Sequence, residues 1–364
     1  MKKSRIRILD WYIIKKFLGT FFFTLMIAIV IVITFDLSEK VDKFVDKQVP
    51  INEIVFDYYG GFIPWILNSF SPLFVFISVI FFTSKLAQNS EIIAILSGGI
   101  SFRRFLAPYM AAASVIAGLS LLMSFYIIPP ANQKRLDFEN QYIKTQKVTS
   151  NQRNIHYQIS PGEFVFVEQF SQWSNTAYNF TLETLEENKI KSKLSAETAE
   201  WDSTFGGWKL RNFYLRDFYG DSEMVTTGKQ LDTVINLTKE DFYRRKNIVE
   251  SLSGKDLNAL IDMQKMRGDA SVKYALIEKN TRIAMPFSAF VLTVIAVSLS
   301  SRKKRGGLGL NIGIGLALAF TYILFMRFSE MFVHTGTLSP ALALWLPNIL
   351  YGLVAVILYK LAPK

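Results

Sequence analysis

Phe17-Leu18-Gly19-Thr20-Phe21-Phe22-Phe23-Thr24-Leu25-Met26-Ile27-Ala28-Ile29-Val30-Ile31-Val32-Ile33-Thr34-Phe35 carries no charge, and threonine supplies its only polar side chains. A helix needs about 20 such residues to cross a bilayer. A cleaved leader would be shorter, and a small-x-small site would follow it. Five more apolar runs of similar length lie at roughly 62–84, 105–128, 283–300, 308–328 and 342–359. Half of the 364 residues are hydrophobic and 20% are charged, which suits a membrane bundle with a soluble insert.

The net charge of +11 divides unevenly along the chain. Residues 131–281 hold 21 Lys/Arg and 21 Asp/Glu; the other 213 hold 20 and 9. The excess positive charge therefore accompanies the apolar runs, which fits membrane orientation better than a nucleic-acid partner. Residues 1–16 (Lys2, Lys3, Arg5, Arg7, Lys15, Lys16), the 84–104 loop (Lys85, Arg103, Arg104), Arg302–Arg305, and Lys360 with Lys364 fall on one side. Only Asp10 and Glu91 oppose those fifteen cations. The 36–61 loop has three Lys against six acids, and 329–341 has no Lys or Arg. Both termini are expected in the cytoplasm, with 131–281 outside.

The neutral segment reads as β. Asn154–Ser160 and Glu163–Phe170 flank Pro161-Gly162. Tyr178–Leu185, Lys189–Leu194, Ala196–Ser203, Trp208–Tyr219 and Glu223–Leu231 follow, with turn-like Glu187-Asn188, Phe205-Gly206-Gly207 and Gly220-Asp221 between them. Seven or more strands suggest a sandwich or jellyroll, with an open twisted sheet as the alternative. Ser253-x-x-Asp256 then resembles a capping box, and Leu257, Leu260, Ile261 and Gln264 continue at helical spacing to Gly268. A second helix, from about Ala270, runs into the fourth span.

Several chemistries are excluded or weakened. The absence of cysteine removes disulfides, thiolate metal sites and a cysteine nucleophile. With only His156 and His334, a histidine-rich metal centre is not expected. There is no G-x-x-x-x-G-K-[ST] phosphate loop and no G-x-S-x-G elbow. Gly309-x-x-x-Gly313 reads as close helix packing.

Three features exceed a plain bundle. Residues 85–98 read as an amphipathic cytoplasmic helix with Ile92, Ile95 and Leu96 on one side and Glu91 as the lone acid; lying on lipid is the other option. The first span continues without a breaker to about Gln48, carrying Lys40, Lys43 and Lys47 beside Val41, Phe44 and Val45. Those lysines suit an anionic lipid head group, or a solvated face balanced by Glu39, Asp42 and Asp46. Arg327, Glu330, Met331 and His334 share a face in the fifth span, where Arg327 either pairs with Glu330 or meets a phosphate.

Four stretches resemble the LptF/LptG permeases of the lipopolysaccharide exporter. They are Ser90-Glu91-Ile92-Ile93-Ala94-Ile95-Leu96-Ser97-Gly98-Gly99-Ile100-Ser101, Ala199-Glu200-Trp201-Asp202 with Trp208-Lys209-Leu210, Arg282-Ile283-Ala284-Met285-Pro286-Phe287, and Leu344-Trp345-Leu346-Pro347-Asn348. The resemblance implies a bundle of six transmembrane helices with an inserted periplasmic β-jellyroll. Its parts would be spans one to three at 1–130, the β-domain at 131–268, and spans four to six at 269–364. It further implies a multi-pass inner-membrane protein of a Gram-negative bacterium, a transport subunit and not an enzyme. The partners implied are a homologous permease in a heterodimer, two copies of a cytoplasmic ATPase that binds the ATP, a single-span jellyroll subunit and a periplasmic bridge protein. By similarity, the 85–98 helix couples to the ATPase through Glu91. Spans one and five form lateral gates for lipopolysaccharide, and Lys40, Lys43 and Lys47 lie where the family meets lipid A phosphates. A permease for another lipid or a lipoprotein, or a membrane-anchored scaffold that moves nothing, is the alternative.

Overall fold

The computed structural model describes residues 8–143, 152–171, 173–187, 189–220, 222–242, 246–269, 271–301 and 307–362. Lys2, Lys3, Arg5, Arg7, Asn188, Asp221, Ala270, Arg302–Arg305 and Lys364 lie outside them. Two compact units emerge. One comprises 1–143, 250–254 and 276–364; the other comprises 144–249 and 255–275.

Among the described residues six helices are long and apolar enough to cross a membrane. Helix α1 (Ile8–Asp46) is one unbroken rod of 39 residues, with Asp10 in its first turn and Lys43 in its last, both favourable for the helix dipole. Gln48 in the left-handed region (φ 48°) ends it, and Val49 N–H returns to the Phe44 carbonyl at 2.9 Å. A single turn, α2 (Ile51–Glu53), runs through a π-helical stretch (Ile54–Tyr59) into α3 (Gly60–Ser69). The apolar run 62–84 is split at Phe70 (φ −101°, ψ 8°), because Pro72 is better placed to open a new helix than to continue the old one. Helix α4 (Ser71–Gln88) follows, then the short α5 (Glu91–Ser97). Helix α6 (Phe102–Leu122), capped by Ser101, continues through π turns at Met123–Ile127 into α7 (Ile128–Phe138) and Glu139–Ile143.

In the helical unit α11 (Gly307–Thr335) packs on α4 and on α12 (Pro340–Leu361), and α1 packs on α4 and α6. In α11 the closely packed glycine is Gly315, not Gly309 or Gly313. A Cβ on Gly315 would come within 2.1 Å of Ile80 Cδ1, while both others face open space.

The second unit is a six-stranded antiparallel sheet in simple up-and-down order: β1 (Gln152–Ser160), β2 (Glu163–Ser171), β3 (Thr176–Glu186), β4 (Lys189–Asp202), β5 (Gly207–Tyr219) and β6 (Ser222–Thr233). Among the described residues the alternative of an open sheet holds, and the expected seven or more strands become six. The reason is local: Lys189–Leu194 and most of Ala196–Ser203 join in one strand, Lys189–Asp202, that runs along β3 with a single register shift at Thr184–Leu185. Its apolar face holds Trp208, Phe170, Phe180 and Val167, covered by Leu237 and Phe242 from the segment after β6. Trp208 Nε1 donates to the Leu237 carbonyl at 2.7 Å, and Phe170 stacks on Phe242 at 4.3 Å. A 3₁₀ turn (Lys239–Phe242) leads to α8 (Lys246–Ser251) and α9 (Gly254–Met266). Leu257 and Ile261 are the buried residues of α9, and Gly268 (φ 65°) terminates its run as its position suggested. The long α10 (Val272–Ser300) enters the helical unit.

Candidate functional site

The segment read as one helix over 85–98 is two elements. Residues 85–88 finish α4, Ser90 turns in the left-handed region (φ 61°), and α5 starts at Glu91. Ile92 is buried in the main helical core, and Ile95 and Leu96 pack against it. The apolar stripe is therefore satisfied by the bundle itself. The opposite side, with Ile93, Ala94 and Ser97, is exposed. Glu91 accepts from the Tyr12 hydroxyl at 3.3 Å and from the Asn89 amide at 3.1 Å.

The outer part of α1 separates its three lysines. Lys43 and Lys47 are exposed. Lys40 instead turns inward, to the Asp36 carboxylate one turn earlier and to the Tyr58 hydroxyl. Tyr58 also donates to Asp36 at 3.0 Å, and the Lys40 ammonium lies 4.9 Å from the Tyr58 ring centroid. Asp36 and Tyr58 are buried, and Phe44, Tyr59, Phe62 and Phe138 surround this end of the helix. Tyr58 comes from the π-helical stretch. Sequence spacing did not indicate it, although Asp36 at four residues before Lys40 was a readable signal.

Arg327 sits in a cleft of the helical unit with about 100 Å³ of room for water, lined by Trp65, Asn68, Arg282, Tyr322, Arg327 and Glu330 among others. Its guanidinium pairs with Glu330 at 2.9 Å and remains largely exposed. Deeper in, Arg282 bonds Glu278 at 2.7 Å and the Leu252 carbonyl at 2.9 Å. Buried charge is retained here only because each hydrogen-bonding group has an acceptor.

The stretches singled out in the sequence meet in pairs. Asn348 donates to the Ala284 carbonyl at 2.7 Å and accepts from the Tyr322 hydroxyl at 2.9 Å, so one amide ties α10, α11 and α12. Phe287 and Trp345 bring their rings to 5.1 Å. In the sheet, Ala199, Glu200 and Trp201 lie opposite Leu210, Lys209 and Trp208 in adjacent strands. Among the described residues no three His, Asp or Glu side chains converge as a metal site.

The sequence profile described as "Lipopolysaccharide export system permease LptF/LptG" matches residues 11–361. The lipopolysaccharide export system permease protein LptG of Escherichia coli K12 is 21% identical over 301 residues, 80% of each chain. An uncharacterized protein of Aquifex aeolicus is 22% identical over 213 residues, which cover 57% of each chain.

Proposed function

The chain belongs to the LptF/LptG family of lipopolysaccharide export system permeases, and from that we propose that it forms one half of an exporter's membrane domain. It is a transport subunit rather than an enzyme. It works beside a homologous permease, over two copies of a cytoplasmic ATPase, and with a single-span jellyroll subunit. Lipopolysaccharide leaves the outer leaflet of the inner membrane and passes through the β-domain to a periplasmic bridge. Both termini are cytoplasmic and the sheet is periplasmic, in keeping with the Lys/Arg asymmetry. A reporter that works only in the cytoplasm should be active after Lys364, and one that works only in the periplasm should be active near Asn188.

The observation that carries the coupling role is α5. It is pinned to the core by Ile92, Ile95 and Leu96, while Ile93, Ala94 and Ser97 are presented outward. A helix held on one side and open on the other can transmit a push from the ATPase. Glu91 lies at its first turn, where the carboxylate can accept a charge-assisted contact. The lipid-phosphate role is assigned to Lys43, Lys47 and Arg327, supported by their exposure, with Lys40 contributing through its paired position near Asp36. The test is ATPase pull-down and lipopolysaccharide release for Glu91→Lys. Loss of association with an intact bundle supports the reading. Unchanged association and export would remove it.

A further inference from the structure

Two contacts join the start of α1 to the segment that carries α5. Arg104 Nη2 donates to Asp10 Oδ2 at 2.6 Å, and the Tyr12 hydroxyl reaches Glu91 at 3.3 Å. The partners are far apart in the chain but bracket α5, one at its first turn and one just beyond Ser101. Directly behind them Ile13, Phe17 and Phe21 are buried in the same core as Ile92, Phe105 and Tyr109. Tyr12 also meets the Phe82 ring edge-on at 6.4 Å. Farther along, Phe22, Phe23, Met26, Ile27, Val30 and Ile31 are exposed. The first turns of α1 are thus held to Glu91 of α5 and to Arg104 in the first turn of α6, one contact on each side of the α5–α6 turn.

We propose that Asp10–Arg104 and Tyr12–Glu91 act as a clasp that makes the start of α1 move as one piece with α5 and the first turn of α6, so that displacement of α5 and the turn that follows it is delivered to α1. These are positioning residues, and the inference rests on the reading of α5 as the ATPase-facing element. Apolar contacts resist separation of helices but resist sliding weakly, because one methyl contact replaces another. A directional Arg–carboxylate pair fixes register. The Asp10 side chain is 12% exposed and that of Arg104 is 38% exposed, so the pair is buried on its carboxylate side and open on its guanidinium side.

The test uses the full chain with its permease and ATPase partners in proteoliposomes loaded with lipopolysaccharide. Asp10→Arg and Arg104→Asp should each lower lipid release about tenfold, the scale of one lost charge-assisted contact, with ATPase association and basal hydrolysis unchanged. Combining the two restores the pair in reverse and should restore release. The chain has no cysteine of its own, so Asp10→Cys with Arg104→Cys can be bridged by a bifunctional maleimide. Bridging should recover release, since the clasped elements need not separate. Normal release in the single variants, no rescue by the reversal, or a block on bridging would each overturn the clasp. The underlying reading fails separately: in that case Glu91→Lys leaves ATPase association intact.

Discussion

The two units handle polarity in opposite ways. In the sheet unit the strand ion pairs lie toward solvent, as in Lys191–Glu186, Arg211–Glu200 and Arg216–Glu223, over an apolar core. In the helical unit large apolar side chains such as Phe23, Met26, Phe35 and Phe328 are exposed, while Asp36, Arg282 and Asn348 are buried. A water-facing surface solvates charge, so the sheet keeps charge outside. A lipid-facing surface cannot, so the bundle turns its polar groups inward and satisfies them there. Arg267–Asp241 is a buried exception in the sheet unit, where it ties the residue that follows α9 to the 3₁₀ turn.

The strongest test of the comparison is Trp208→Ala. It removes the largest buried side chain of the sheet and leaves the Leu237 carbonyl without its donor. The cost should be about 3–5 kcal/mol, read as early protease cleavage in the sheet while the helical unit stays resistant. Next is Asp36→Leu, which strands the Lys40 ammonium beside Tyr58. It should cost about 3 kcal/mol, and adding Lys40→Met should recover most of that loss, because removing both partners leaves no unpaired charge. Thermal stability in detergent distinguishes the two. If the double variant is no better than the single, the buried pair is not the issue and the contrast between units weakens.

Gly61→Ala examines packing rather than charge. A Cβ there would sit 2.3 Å from the Ala131 carbonyl oxygen and 2.8 Å from Arg135 Cβ, so α3 must move away from α7. The expected loss is about 1–3 kcal/mol, measured by the same melt. The smallest effect concerns Asp202 in the sheet. Its hydrogen bond to the Lys209 ammonium, then those from Thr204, hold the carboxyl well below the usual carboxylate range. The folded state binds that proton more weakly than the unfolded chain. The pair therefore stabilises at neutral pH, and its contribution fades as pH falls below the ordinary carboxylate range. Asp202→Asn should flatten that small acid dependence by lowering stability slightly at neutral pH while leaving it unchanged at low pH, read from melts across the acid range.

Spans and strands were legible because each rests on a simple period or on composition. Apolar runs located all six membrane helices, and turn dipeptides located the strand ends. What escaped were the irregular places. Three π-helical stretches insert a residue and turn the following side chains by about 100°. A regular helical wheel therefore cannot bring Tyr58 to Asp36. The three lysines were read together, for an anionic head group or a solvated face, yet Lys40 follows Asp36 inward while Lys43 and Lys47 stay out. The stretch 85–98 looked continuous because nothing before Ser90 forbids helix. Its break lies in a left-handed serine that no composition signal marks. The short stretches shared with the family were visible as words; only the fold showed that Ala284 and Asn348, or Trp201 and Trp208, are two halves of one contact.

The unbroken length of α1 has a mechanical consequence. At 1.5 Å per residue its 39 residues make a rod of about 58 Å. A helix without a hinge cannot absorb a tilt along its length, so it acts as a lever. Turning it by about 5° around its first turns would sweep the far end through about 5 Å, roughly one helical turn. That end carries Lys43, with Lys47 just beyond it, so a small tilt set at Asp10 becomes a displacement on the scale of a phosphate group near Lys43.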